Sequence, residues 1–358
     1  MFAERLKSLK PYVPGEQPQD RRYVKLNTNE NPYPPSPRIA ALLSGYDSGR
    51  LRLYPDPECR QLKEALARSR GLKPENVFTG NGSDEVLSFA FYAFFDSPRG
   101  PLLFPRHTYS FYPVYANFYN LPFTRIPLDS GLAVCLEDYL DIPSCGVIFP
   151  NPNAPTGISL GLREIRDFLD RYPGDRAVII DEAYIDFGGE SAVELLEDYP
   201  NLLVIQTFSK GRSLAGLRLG YALGQPPLIQ ALTQVKDSFN SYPVDALAQA
   251  LGAAALEDEA YFLSCTRRIQ ETRNRFSFRL GRAGWRVLPS VSNFVFASRP
   301  GISGGEVYAR LKEKGYLVRY FNEEGITDFV RITIGRDEDM EALAKLMEEL
   351  PAPGEAEK

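Results

Sequence analysis

A chain of 358 residues, 44% hydrophobic and 24% charged, is long for a single core and ordinary in composition, so a large and a small domain sharing a cleft are expected. A net charge of −5 argues against a nucleic-acid or anionic-membrane partner. No apolar run reaches the roughly 20 residues of a membrane span, MFAERLKSLKPY lacks the apolar core of a signal peptide, and four scattered cysteines with one histidine offer neither a disulfide framework nor a metal site; the composition reads as a reduced, cytoplasmic enzyme.

Residues 1–35, rich in proline, asparagine and charge, read as an extended arm, and a helix follows over 36–46. Pro55 and Pro57 precede a helix carrying Leu62 and Leu66. A short strand over 77–79 runs into GNGSDE (80–85) and a helix over 83–95. Strands over 101–105 and 121–127 flank an aromatic helix over 109–119. Apolar runs at 145–150, 177–181 and 201–207 alternate with helices such as 160–171. This is the βαβ pattern of an α/β fold, a mostly parallel sheet covered on both faces. Beyond Pro226 the chain reads as mainly helical, with a long helix over 257–281. A strand over 293–297, a helix over 304–314, strands over 316–319 and 329–334 and a closing helix after Arg336 then make a compact α+β unit, to which the N-terminal arm returns. The expected division is a large domain over 46–272 and a small one built from 1–45 and 273–358.

Several stretches carry residues suited to chemistry. GNGSDE opens a helix directly after a strand, where free amides and the helix dipole favour an anion and glycine lets the backbone approach a phosphate; many such turns are only structural. Tyr109, in HTYSFY, is a flat ring able to stack on a ligand or to pack in a core, and Tyr112 and Tyr115 read as packing residues. NPNAPTG (151–157) is a tight turn that holds the Asn153 amide rigidly. Asp181 ends an apolar strand, where ligands meet open α/β sheets, although a carboxylate there is often a cap or an ion-pair partner. Within SKGRSLAGLRLG (209–220), Lys210 sits between Ser209 and Ser213 with Arg218 eight positions on. It is either a solvated surface charge or an amine that burial and nearby cations deprotonate. Arg331 lies inside the apolar run FVRITIG, where an arginine is rarely left unpaired, and Arg319 ends the preceding strand. An amine, a strand-end carboxylate, an amide-bearing turn and a glycine-rich helix start together suit pyridoxal phosphate.

These motifs, FSK…GLRLGY, DEAY and NPNAPTG, within a span from LNTNENP to RITIG, resemble those of the fold-type I aminotransferases, and nearest the histidinol-phosphate aminotransferases. The resemblance implies pyridoxal 5'-phosphate as cofactor and three catalytic residues. Lys210 would bind the cofactor covalently and move the substrate's α-proton. Asp181 would keep the ring nitrogen protonated so that the ring acts as an electron sink, an ion pair worth about 4 kcal/mol at an effective dielectric near 20, or about three pKa units. Tyr184 would bond the ring oxygen together with Asn153. Gly82 and Ser83, with Asp84 adjacent, Ser209 and Arg218 would hold the cofactor phosphate, and Tyr109 would stack on the ring. Tyr54 would reach that phosphate across a subunit interface, which makes the expected assembly a homodimer. Arg331 would receive the substrate's acidic group, with Arg319 and Tyr12 as partners for a substrate phosphate. Two departures, Gly211-Arg212 after the lysine and Ala154 in the NPN turn, bear on side-chain specificity.

The activity implied is transfer of the amino group of histidinol phosphate to 2-oxoglutarate, giving imidazole acetol phosphate and glutamate. An aromatic amino acid aminotransferase or a threonine-phosphate decarboxylase on the same fold are the rival activities. A cofactor-binding regulator is the rival without one, and it would need a DNA-binding module for which the chain offers no basic extension.

Overall fold

In the computed structural model, which describes residues 2–7, 9–12 and 15–350, the N-terminal arm supplies β1 (Val24–Lys25) and α1 (Pro37–Gly45). The Ser36 hydroxyl caps α1 by accepting from the Arg38 N–H. Then come α2 (Arg60–Arg70), β2 (Val77–Asn81), α3 (Gly82–Phe94), β3 (Leu102–Pro105), α4 (Tyr112–Phe118) and β4 (Phe123–Ile126). They are followed by β5 (Gly146–Pro150), α5 (Leu162–Leu169), β6 (Ala177–Asp181), β7 (Leu202–Thr207) and β8 (Leu219–Gly224). Helices α6 (Pro226–Phe239), α7 (Ala246–Leu256) and α8 (Glu259–Arg282) lead into β9 (Arg286–Val287), β10 (Phe294–Ser298) and α9 (Gly304–Glu313). The chain closes through β11 (Tyr316–Leu317), β12 (Arg319–Tyr320), β13 (Phe329–Thr333) and α10 (Asp337–Glu348).

The central sheet has seven strands in the order β2-β8-β7-β6-β5-β3-β4. All neighbours are parallel except β8, which runs antiparallel to both β2 and β7. β5, β6, β7 and β8 are buried along their whole length, which is why they read as unbroken apolar runs rather than as alternation. One apolar core, with Leu62, Leu66 and Phe168, covers one face; another, with Phe91, Tyr112 and Leu232, covers the other. A second sheet, β12-β13-β10-β9, is antiparallel. Its core joins Val295, Val330 and Ile332 to Ile269 of α8 and Leu343 of α10. The arm pairs β1 with β11 in parallel, and Leu26 enters this core. No helix among the described residues is long and apolar enough to cross a membrane.

Three local expectations are corrected. No strand was expected between 207 and Pro226, yet β8 begins at Leu219, a strand that glycines near both ends hide from propensity reasoning. The helix expected from Tyr109 begins at Tyr112, with a proline in its first turn that suits a helix start, so Tyr109 stands in the turn before it. The strand expected over 316–319 is two strands in two different sheets, broken at the buried Val318.

Candidate active site

The carboxyl ends of β5, β6 and β7, the start of α3 and the arm around Thr28 enclose two cavities, of about 380 and about 160 Å³. They meet at Thr28, Tyr109, Ala154, Tyr184 and Lys210. The larger reaches down to Asp181 and along Ser83, Ser209 and Arg218; the smaller opens onto Tyr12, Arg319 and Arg331. A third, larger groove of about 570 Å³ lies between α3, α4 and α6, away from these residues, and is lined mainly by aromatic and apolar side chains.

At one end of the larger cavity, β2 passes into α3 with no spare residue, so the first amides of a 13-residue helix face it. Gly82 has φ +80° there, and a Cβ would stand 2.6 Å from Arg218 Nη2. Underneath, a Cβ on Gly220 of β8 would stand 2.2 Å from the Ser83 nitrogen. The Asp84 carboxylate is fully engaged: Tyr109 Oη donates to Oδ1 at 2.7 Å and Arg218 Nη2 to Oδ2 at 2.8 Å. Ser209 is buried beside Thr207, whose hydroxyl donates to Ser209 Oγ at 3.0 Å. Both face the cavity, and Thr207 is a residue that the sequence reading did not single out.

At the floor, Asp181 accepts from the Ala183 N–H at 3.2 Å and from Tyr112 Oη at 3.0 Å. Burial raises its carboxyl to about 6, against the pull of those two donors. Tyr112, expected only to pack, therefore also holds the floor carboxylate.

Lys210 Nζ donates to Thr28 O at 3.0 Å. Burial, and next the Arg331 guanidinium, lower its ammonium to about 8. The arm segment LNTNENP wraps this lysine. Asn31 Nδ2 donates to the carbonyls of Lys210 and Gly211, and Asn29 Nδ2 donates to Tyr184 Oη at 2.9 Å. Asn293 Nδ2 in turn holds Asn29 O. The sequence reading assigned nothing to these asparagines. The signal that could have found them is the density of side-chain amides in a segment without helical or strand periodicity.

Asn153 is buried, and its amide protons are committed to His107 O and Thr156 Oγ1, both at 3.1 Å. The atom left without a partner is the acceptor Oδ1, the reverse of a donor awaiting a ring oxygen. Arg331 lies on β13 directly across from Arg319 on β12. Its Nη2 donates to Asn27 O at 3.1 Å, and its guanidinium lies against the rings of Phe294 and Phe321. Nε is buried without a partner, and burial together with Arg319 lowers its pKa. Tyr12 packs on Phe111 at the mouth of the smaller cavity. One expected residue is not brought to the site by the single chain: Tyr54 is 83% exposed and stacks on Tyr242.

A buried lysine of lowered pKa and a strand-end carboxylate in the crevice of a mostly parallel sheet define a fold-type I transferase. The sequence pattern of the family described as aminotransferase class I and II matches residues 21–346. The chain belongs to that family, and within it to the histidinol-phosphate aminotransferases. A relative so named from Syntrophus aciditrophicus is 60% identical over 98% of this chain and 97% of its own. The solved histidinol-phosphate aminotransferase of Sinorhizobium meliloti, in complex with pyridoxal-5'-phosphate, superposes with a TM-score of 0.86 at 26% identity, covering 97% of this chain and 96% of that one. The L-threonine-O-3-phosphate decarboxylase of Porphyromonas gingivalis shares the fold, with a TM-score of 0.78 at 23% identity over 91% of this chain and 98% of that one.

Proposed function

We propose that the chain transfers the amino group of histidinol phosphate to 2-oxoglutarate, using pyridoxal 5'-phosphate and acting as a homodimer in the cytoplasm. When bound, that cofactor supplies an aldehyde for amine capture and a ring that takes up the electron pair left by the departing α-proton. The residues fit it. Gly82 and Ser83 offer backbone amides at a helix start, and Ser209 and Arg218 offer a hydroxyl and a cation, at the end suited to the phosphate. Asp181 offers an anion to the ring nitrogen, and Tyr109 a ring to stack on it. Tyr184 already accepts from Asn29, so its own proton is available to the ring oxygen. Asn153 would join Tyr184 there only by turning its amide away from His107 O, which gives up the bond that Nδ2 donates to that carbonyl. Lys210 would be the group that moves the proton of the substrate's α-carbon, and a pKa of about 8 suits an amine that takes up and returns a proton near neutrality.

The observation that carries the choice of substrate is the pair of cross-strand arginines beside Lys210. A carboxylate is met by one bidentate arginine, Arg331, whose unpaired Nε is available to it. A phosphate monoester carries more charge and three acceptor oxygens, for which Arg319 and Tyr12 are the additional partners. Threonine-phosphate decarboxylase is supported by likeness of fold alone. The domain division in this reading is 46–272 against 1–45 with 273–358. The homodimer is supported by the exposed aromatic surface of Tyr54, Tyr92, Phe118 and Phe239.

Single-turnover spectra of the loaded enzyme test the reading. Histidinol phosphate should convert the cofactor faster than phenylalanine, and threonine phosphate should release no carbon dioxide. Arg319→Ala should slow the histidinol-phosphate half-reaction far more than the glutamate one, whereas Arg331→Ala should impair both. Equal rates with phenylalanine and histidinol phosphate, or equal losses for both substrates in Arg319→Ala, would overturn it.

A further inference from the structure

Three tyrosines stand at the entry to α4: Tyr109 in the turn before it, and Tyr112 and Tyr115 one helical turn apart within it. All three hydroxyls point at the acids of the cavity. Tyr109 Oη and Tyr115 Oη bond Asp84, to its carboxylate and its carbonyl, while Tyr112 Oη bonds Asp181. Tyr112 differs from the other two in being wholly buried, its ring fixed by Phe91, Phe104 and the perpendicular ring of Tyr109. Among the described residues its hydroxyl has no hydrogen-bond partner except Asp181.

Asp181 depends on that bond. It is 4% exposed, and among the described residues no lysine or arginine pairs with it. The titratable groups facing it are Tyr112 and Tyr115 from α4, Tyr184 from the turn after β6 and Asp84 from α3. Among the described residues, Tyr112 and the Ala183 N–H favour the ionised carboxylate, and Asp84 opposes it by like charge. Burial and the charge of Asp181 push the Tyr112 phenol well above its usual range, so it stays neutral and acts as a fixed donor.

We propose that Tyr112 is a positioning residue for the transamination: through its bond to Asp181 Oδ2 it fixes the orientation of the floor carboxylate and keeps it ionised, ready for the cofactor's ring nitrogen. This rests on the reading of Asp181 given above. The hydroxyl holds Oδ2 from a ring packed on three others while the Ala183 N–H holds Oδ1, and the carboxylate so fixed from both oxygens lines the larger cavity. Without it, a buried acid facing Asp84 would hold its proton up to higher pH.

The test is a pH titration of the full-length chain, free of cofactor, by infrared difference spectroscopy. Glu182 is also buried and raised to about 7, so the Asp181 carboxylic-acid band is assigned by its loss in Asp181→Asn. Its midpoint should lie near 6, the value that burial gives the Asp181 carboxyl, and Tyr112→Phe should move it up by about one to two pH units, the loss of one hydrogen bond to a charged group. In the loaded enzyme Tyr112→Phe should lower kcat about ten- to hundredfold with KM for the amino donor nearly unchanged. A well-folded Tyr112→Phe protein with an unmoved midpoint would overturn the proposal. If that variant does not fold, 3-fluorotyrosine at position 112 decides. Its more acidic phenol donates more strongly and should move the midpoint down, and an unmoved midpoint again overturns the proposal. Failure of the Asp181 reading would look different: loaded Asp181→Asn would turn over normally whether or not the midpoint moved.

Discussion

Burial and the Arg331 guanidinium bring the Lys210 ammonium down to about 8. About a tenth of the amine is therefore free at neutral pH, against about one part in three thousand for an ordinary lysine. The shift has a cost in stability. Between about 8 and the ordinary value of 10.5 the unfolded chain holds a proton that the folded chain has lost, so the stability contributed at this site rises with pH across that window and is least below it. The rate at which cofactor-free protein captures pyridoxal phosphate, followed by stopped-flow absorbance, should rise with pH to a midpoint near 8, as this value requires. Arg331→Gln should move that midpoint upward, because the removed cation no longer opposes the ammonium. Borohydride reduction should then fix the cofactor on Lys210. Peptide mapping that finds it on another lysine would remove Lys210 from its role. The motifs pointed to Lys210, Asp181, Tyr184 and Arg218 together, and the structure brings all four to one cavity. The Tyr112 contact was not legible in the sequence, because the pairing of a helix start with a strand end 69 residues away leaves no periodic trace.

Two elements build the site in ways the apolar pattern did not announce. β8 supplies Gly220, whose missing side chain lets the Ser83 backbone descend onto the sheet and aim the first amides of α3 into the cavity. Gly220→Ala should weaken cofactor binding strongly in equilibrium dialysis and destabilise the fold by about 1–3 kcal/mol, the usual cost of overpacking. Gly174→Ala, with nothing near the added carbon, should do neither. A Gly220→Ala protein of unchanged cofactor affinity would show that the turn has slack the packing does not suggest. The arm is the other element. Its amides hold the lysine loop and Tyr184 from outside the central sheet, and its strand β1 is anchored on β11, so two distant segments of chain meet on the lysine.

At the scale of the whole molecule, the single chain leaves Tyr54 outside the cavity, stacked on Tyr242 in a surface of exposed aromatic side chains. If Tyr54 completes the phosphate site of a second subunit, inactive Lys210→Ala and inactive Tyr54→Phe proteins should complement when unfolded and refolded together. In a two-fold dimer, random assortment places both lesions in one site of each mixed dimer and leaves the other intact, for about a quarter of full activity. No recovery from two variants shown to mix would exclude the shared site, and a fully active Tyr54→Phe protein would show that the contact carries nothing. The groove between α3, α4 and α6 belongs to the same question, because a contiguous apolar surface of this kind marks contact with another protein.

What the sequence by itself determined was local and periodic. Unbroken apolar runs announced strands covered on both faces, a glycine-rich turn announced a helix start that borders the cavity, and an acid ending such a run announced the crevice. Each rests on residues within about ten positions of one another, so the chain's own order preserves the signal. Only the tertiary structure decided which groups face each other across the fold. Arg319 came to lie opposite Arg331 by strand register, Thr28 and Asn29 came onto Lys210 and Tyr184 by the return of the arm, and Tyr112 came onto Asp181 by the seating of α4 against β6. Tertiary packing likewise set the charge on Lys210, through burial and Arg331, and on Asp181, through burial and Tyr112, because a pKa is fixed by burial and by groups within a few ångströms in space, whatever their separation along the chain.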